Sequence, residues 1–388
     1  MIKSLKVEKL NERMSFDLKF NADINVITGK NGSGKTTLLK LLWYAISGNL
    51  ERIIEEIAVE SFELETDSVW VVMTMTKETP AKRPFVNIKY KIHGGSIHEI
   101  EQRIERIAQQ EKLMEANRSI SAATGSSVFF PTFRRIEGGF SISGRQNEKI
   151  MRFVDSGRMV RSTSVYNDST GLQREMLQLS ERISVGEHRF VASISTDDIT
   201  RLLTSKYAEI SEKNNRMHMD MSKYILTKVG DDSVDSPTTE TSGPARETLT
   251  EIRQRARRVT EDSDTLLRPF TVLSGLIEKI FQYKGIRISE PLSFGEAKEA
   301  IKSEVLSAGE KQMLSFLCYN AFANKTCLFI DEPEISLHVD WQRILFPILL
   351  EQSTGNQFIV ATHSPFIYSK YADKELVLAD RGDEYADA

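Results

Sequence analysis

Apolar and polar positions alternate from Ile2 to Val7 and again from Phe16 to Phe20, which predicts two strands with turns at Asn11 and Asn21. Ile24, Val26 and Ile27 then form a short β-favouring run, followed by Gly29, Gly32 and Gly34 and by a helical apolar face of Leu38, Leu39, Leu41 and Leu42. Three more strands are expected over Phe62 to Leu64, Val69 to Met75 and Val86 to Ile92, separated by polar turns and by Pro80 and Pro84, giving an antiparallel side sheet. From Ile100 the spacing of Ile104, Ile107 and Leu113 predicts an exposed helix. Val128 to Phe130 read as a strand stopped by Pro131. Ile194 to Val229 is mostly helical in pattern, and the polar, proline-containing stretch from Gly230 to Ala245 predicts a mobile loop between two helices. Near the C-terminus the apolar runs Cys327 to Ile330 and Phe358 to Ala361 predict strands buried on both faces of a parallel sheet.

Candidate chemistry falls at the ends of these elements. Gly29-x-x-x-x-Gly34-Lys35-Thr36 has the spacing of a phosphate-binding loop, set between a strand and a helix. Its glycines free the backbone to wrap an anion, and Gly29, Asn31, Gly32, Ser33, Gly34, Lys35, Thr36 and Thr37 are the candidate nucleotide contacts. Lys35 is suited to the β- and γ-phosphate oxygens and the Thr36 hydroxyl to Mg²⁺. Asp331 and Glu332 follow a buried strand at its C-terminal end, where parallel sheets bind ligands. There Asp331 is a candidate Mg²⁺ contact and Glu332 a general base for the attacking water. His363 ends the next apolar run and can hydrogen-bond a γ-phosphate oxygen or that water.

Ser307 and Glu310 have the spacing of a helix capping box, with Gly309 between them. A capped, glycine-containing helix start is also an anion site, and beside a phosphate loop it is read as completing ATP binding. Arg134 and Arg135 follow a predicted strand end and are candidates for a phosphate or lid contact, the simpler alternative being two solvated side chains.

At 388 residues the chain exceeds one typical domain, so an ATPase core with a substantial insertion is expected. No apolar run approaches the length of a membrane span, and the N-terminus lacks the apolar segment of a secretory leader, so a cytoplasmic protein with no membrane partner is expected. Cys318 and Cys327 each lie in apolar surroundings and read as buried, reduced thiols. Met217, Met219 and Met221 around His218 read as packing. A net charge of -4 excludes a global polybasic character; nucleic-acid binding would need a local patch, such as the runs Arg145 to Arg161 or Arg246 to Arg258, which otherwise read as solvated or ion-paired faces.

In order along the chain, GKNGSGKT, LSAGEKQ, CLFIDEP, ISLH and ATHSP resemble the Walker A, signature, Walker B, D-loop and switch-histidine motifs of ABC-type ATPases in the branch of SMC and RecF proteins. The motifs occupy the two ends of the chain and say little about the middle. The resemblance implies a homodimer, or a higher homo-oligomer, in which ATP held by Lys35, Thr36, Asp331 and Glu332 of one subunit is capped by Ser307 and Gly309 of the other. Such proteins normally carry a glutamine at the strand leading into the lid, where FFPTFRRIEGG offers Arg134 and Arg135. That stretch resembles ATPases found with OLD-like nucleases and with the Septu, PARIS and retron-associated antiphage systems. OLD nucleases continue into a TOPRIM nuclease domain after the switch histidine, whereas this sequence ends at Ala388, so any nuclease or toxin action is expected from a separate effector.

The expected fold is therefore α/β, a P-loop NTPase with ABC-ATPase head architecture, an antiparallel side sheet and a mainly helical insertion. Its expected parts are an N-terminal lobe over 1–97, an insertion over 98–300 and a C-terminal lobe over 301–388. ATP and Mg²⁺ are the expected ligands. The leading expectation for function is an ATP-hydrolysing sensor or scaffold of a prokaryotic antiphage system; the rivals are a DNA-repair or chromosome-maintenance ATPase gripping DNA through its arginines, and an assembly protein in which hydrolysis is incidental.

Overall fold

The computed structural model describes residues 1–76, 85–103, 111–132, 135–136, 147–155, 158–166, 169–230, 242–283 and 307–378. Two units are formed, one from Met1–Ser195 together with Leu306–Ala388, the other from Thr196–Val305.

The first unit opens with β1 (Ile2–Leu10) and β2 (Met14–Lys19), paired antiparallel, then β3 (Ile24–Thr28), α1 (Lys35–Ser47) and α2 (Leu50–Glu56). Four strands follow, β4 (Ser61–Thr66), β5 (Val69–Thr76), β6 (Phe85–Ile92) and β7 (Ile97–Arg103), and complete an antiparallel sheet of order β2-β1-β4-β5-β6-β7. The alternation in β1 buries Ile2, Leu5, Val7 and Leu10, and these join Leu38, Leu41, Leu42 and Trp43 of α1 in one apolar core.

The expected helix starting at Ile100 is a strand over its first residues. Ile100 sits opposite Ile88 of β6 and is buried, so the sheet edge offers that segment a ladder of backbone bonds and a covered face. Ile104 and Ile107 lie outside the described residues; the helix, α3 (Glu111–Thr124), begins later and buries Leu113. It packs against α1 closely enough that a Cβ on Gly48 would come 2.2 Å from the Asn117 carbonyl.

Next come β8 (Ser127–Phe130), a two-residue β9 (Arg135–Ile136), the hairpin β10 (Asn147–Asp155) and β11 (Arg158–Tyr166), α4 (Ser169–Ile183), β12 (His188–Phe190) and β13 (Ser193–Ile194). The described residues of 98–195 thus fall in the first unit, where β8 is an interior strand of the parallel sheet. What separates is α5 (Thr196–Gly230) and α6 (Ser242–Tyr283), the helices expected on either side of the loop, most of which (231–241) is outside the described residues. They run antiparallel, with Tyr207 edge-on to Phe270 and, farther along, the Tyr224 hydroxyl donating to Glu251. Met221 is buried and Met219 is 59% exposed.

The chain returns to the first unit through α7 (Ala308–Phe322), β14 (Cys327–Asp331), α8 (Val339–Glu351), β15 (Gln357–Ala361), the short α9 (Pro365–Tyr368) and β16 (Glu375–Val377). These strands complete a parallel sheet of order β12-β8-β14-β15-β3-β16, built from both ends of the sequence. Gln357 ties it to the antiparallel sheet: its side chain donates to the Ile2 and Asn21 carbonyls and accepts from the Ile2 amide, all at 2.8 Å. Cys318 and Cys327 are buried free thiols. Among the described residues no helix is long and apolar enough to cross a membrane.

Candidate functional site

Register places the candidate chemistry along one sheet edge. Asp331 pairs with Ala361, and Ala361 with Ile27, so β14, β15 and β3 finish level with one another. The segments leaving them are Asp331-Glu332, Thr362-His363 and the glycine loop from Gly29 to Gly34. Next to β14, β8 delivers Pro131 and Thr132.

The glycine loop is shaped for an anion. Gly34 has φ +82°, which α1 needs at its first turn and which a larger residue resists. A Cβ on Gly29 would stand 2.9 Å from the Leu378 carbonyl oxygen, and Gly29 and Gly34 hold φ +150° and +82°, so the curvature suits glycine. Lys35 is buried, and its ammonium donates to the Gly29 and Lys30 carbonyls at 3.0 and 3.2 Å. Burial pulls its pKa down, while Glu332, Asp331 and Glu334 act in the opposite direction. The Ser33 hydroxyl is buried and has no hydrogen-bond partner among the described residues. A cradle that suits glycine, an orphaned hydroxyl and a buried cation within reach of acids fit a phosphate chain and its metal. Asn31 is exposed, while Thr36 and Thr37 are half-buried at the start of α1.

Asp331 is 1% exposed, and the Thr132 hydroxyl donates to its carboxylate. Glu332 adopts φ +48°, turning the chain sharply as it leaves β14, and its amide donates to the Ala361 carbonyl at 2.8 Å. Burial, then Asp331 and Glu334, push the Glu332 carboxyl above its ordinary pKa, with His363 and Lys35 opposing them. The phosphate loop, both acids and His363 therefore share one electrostatic neighbourhood.

The candidate second anion site keeps its cap. The Ser307 hydroxyl accepts from the Glu310 amide at 3.4 Å and the Glu310 carboxylate accepts from the Ser307 amide at 2.7 Å. Ser307 is exposed; Glu310 is buried with its carboxylate engaged in that cap. Gly309 is buried against the chain after β14, where a Cβ would meet the Ser336 carbonyl at 2.4 Å, and Gln312 donates to the Pro333 carbonyl at 2.9 Å. Arg134 lies outside the described residues, and the backbone of Arg135 pairs with Ser193 in the short β9–β13 ladder.

Two residues at the site escaped the pattern of the sequence. Thr132, two places beyond β8, reaches Asp331; its only signal was a hydroxyl directly after Pro131. Arg13, in the turn between β1 and β2, donates to the Gly32 carbonyl at 3.0 Å, and nothing in the strand alternation indicates that this turn folds over the phosphate loop.

Comparison with known proteins adds to this geometry. The chain overlays loosely on the Smc head domain with an extended coiled coil bound to the C-terminal domain of ScpA from Pyrococcus furiosus, at 13% identity and TM-score 0.36 over 95% of this chain and 91% of that one. A second Smc head, bound to the winged-helix domain of ScpA, gives 12% identity and TM-score 0.35 over the same shares. Endonuclease GajA from Bacillus cereus (strain VD045) is 39% identical over 75 residues, which are 18% of this chain and only 13% of that protein. Residues 226–369 match a family model described as "AAA domain, putative AbiEii toxin, Type IV TA system". A further model, described as "AAA domain", matches residues 9–216, more than half of the chain, and the protein accordingly belongs to that AAA-domain family.

Proposed function

We propose that this chain is an ABC-type ATPase hydrolysing ATP to ADP and phosphate, and that it serves as sensor or scaffold in a prokaryotic antiphage system by holding or releasing an effector. The observation carrying the ATPase part is the meeting of Lys35 with Asp331, Glu332 and His363 at the C-terminal edge of the parallel sheet. Lys35 leaves its carbonyl partners for the β- and γ-phosphate oxygens, and the loop amides take the remaining charge. Mg²⁺, held by Thr36 and Asp331, would neutralise charge between the β- and γ-phosphates. Glu332 accepts the proton of the attacking water, and His363 donates toward the γ-phosphate. Exposed Ser307 offers its helix start to the nucleotide of a second copy, so ATP joins two subunits and hydrolysis parts them.

Support for the defence role comes from the toxin–antitoxin wording of the family model over residues 226–369 and from the endonuclease that shares a 75-residue stretch. Direct DNA binding is the rival, favoured by Arg253, Arg257 and Arg258 standing exposed on α6. Arg255 contributes less to it, since its guanidinium lies 4.2 Å from the centre of the Tyr224 ring. Duplex titration across salt concentrations separates the two: a steep, ATP-dependent salt slope supports DNA binding, and a flat one with a co-purifying effector supports the scaffold.

For the site itself, Lys35→Ala should weaken ATP binding about a hundredfold, since hydrogen bonds to charged groups are worth about 1.5–3 kcal/mol each. Titration of a fluorescent ATP analogue checks this, and unchanged affinity would remove the glycine loop from the site. Thr132→Val should raise the Mg²⁺ concentration needed for nucleotide binding about tenfold, as loss of a partner behind a metal ligand does elsewhere. Thr132→Ser restores the hydroxyl and should restore the wild-type Mg²⁺ dependence.

A further inference from the structure

Glu334 stands two residues beyond Glu332, and its side chain crosses to the loop that follows the neighbouring strand. One carboxylate oxygen accepts from the Thr362 hydroxyl at 2.8 Å, the other from the His363 amide at 2.7 Å. The Thr362 hydroxyl accepts in turn from the Ser364 amide at 3.0 Å. A second tie comes from Gln342 on α8: it donates to the Leu337 carbonyl at 2.8 Å and accepts from the Ser364 hydroxyl at 2.6 Å. His363 itself is exposed, yet both its neighbours in sequence are buried, Thr362 tied to Glu334 and Ser364 to Gln342 of α8.

The chemistry of this clamp calls for a carboxylate. Thr362 and His363 both present donors, and an ionised Glu offers two acceptor oxygens with no donor of its own. A glutamine would keep one acceptor and turn an N–H toward one of these groups. Since both oxygens of Glu334 are already engaged within the chain, it is poorly placed to activate water. Both loops leave level strands of one sheet, so a fixed strut between their tips sets the distance from the base to the imidazole.

We propose that Glu334 is a positioning residue that holds His363 in register with Glu332, making the loops after β14 and β15 move as one body. This rests on the ATPase function proposed above. The strut acts through His363, so removing it should cost what removing the imidazole costs, and removing both should cost little more.

The test is a double-mutant cycle on the full chain with Glu334→Ala, His363→Ala and the double variant. Glu334→Ala should lower kcat about a hundredfold, the scale of losing a precise approach, with the affinity for a fluorescent ATP analogue changed by less than about threefold. The double variant should turn over within about threefold of the slower single one, as residues acting as a unit do. Glu334→Gln, nearly isosteric, should fall between wild type and Glu334→Ala and serves if the alanine variant does not fold. In the nucleotide-free protein the His363 amide should exchange with deuterium faster in Glu334→Ala than in wild type. Losses that multiply in the double variant, an unchanged kcat in Glu334→Ala or Glu334→Gln, or an amide equally labile in wild type would each overturn the strut while leaving the ATPase in place. A wild-type chain without ATP turnover would overturn both.

Discussion

Glu332→Gln should reduce ATP turnover about a thousandfold, within the range that a positioned general base supplies, while ATP remains bound. The substitution keeps the size of the side chain and the backbone turn at φ +48°, while it removes the charge and the ability to take a proton and turns one acceptor oxygen into an amide donor. Nucleotide-bound subunits should then accumulate as dimers, visible by light scattering as a doubling of mass on adding ATP and Mg²⁺. Single-turnover hydrolysis reads the chemical step directly; a rate equal to wild type would move the base elsewhere. The pH profile gives a second check. Burial, Asp331 and Glu334 raise the Glu332 pKa above its ordinary value of 4.5, and a base works only when deprotonated. Activity should therefore fall on acidification at a pH above the usual carboxylate range, and that acid limb should vanish from the residual turnover of Glu332→Gln.

Phe129→Ala should destabilise the ATPase unit by about 3–5 kcal/mol, the usual cost of deleting a fully buried aromatic side chain. Phe129 is 1% exposed, stacks on Phe190 with ring centres 5.5 Å apart, and meets Trp43 at 5.6 Å and Phe329 at 6.1 Å. Deleting it opens a cavity between α1 and the strands β8, β12 and β14. Urea unfolding followed by tryptophan fluorescence should show a lower midpoint with an unchanged slope. Phe129→Leu keeps most of the volume and should lose less. Because β8 leads directly to Thr132, the alanine variant should also bind Mg²⁺-ATP less tightly, whereas Glu332→Gln leaves the unfolding midpoint nearly where it was. A loss below about 1 kcal/mol would mean that the aromatic cluster repacks around the gap.

Much of the site was legible without coordinates because its chemistry is local. The strand, glycine loop and helix from Ile24 to Leu42 are contiguous, and so are the runs that end in Asp331-Glu332 and in His363. Ser307 and Glu310 announced their cap by spacing alone. Failure came where neighbours distant in sequence choose the outcome. Ile100, Ile104 and Ile107 suit a helix by spacing, yet an open sheet edge beside β6 claims the first of them. Nor did any pattern announce that Thr132 donates to Asp331, across 199 residues of chain.

From the order of its side chains alone this protein has a phosphate loop, two acids on a strand end, a capped helix start and the strands that carry them, since backbone geometry and short-range hydrogen bonds suffice to specify each. Tertiary structure decided the rest: the sheet interleaves strands from both termini, so that β3 lies beside β15 and β8 beside β14. That interleaving sets Thr132 on Asp331, while packing between elements nearer in sequence brings Arg13 to the loop and Glu334 to the His363 amide. Pairings of that kind depend on which strands become neighbours, and burial of the whole apolar surface chooses those neighbours where no local pattern can.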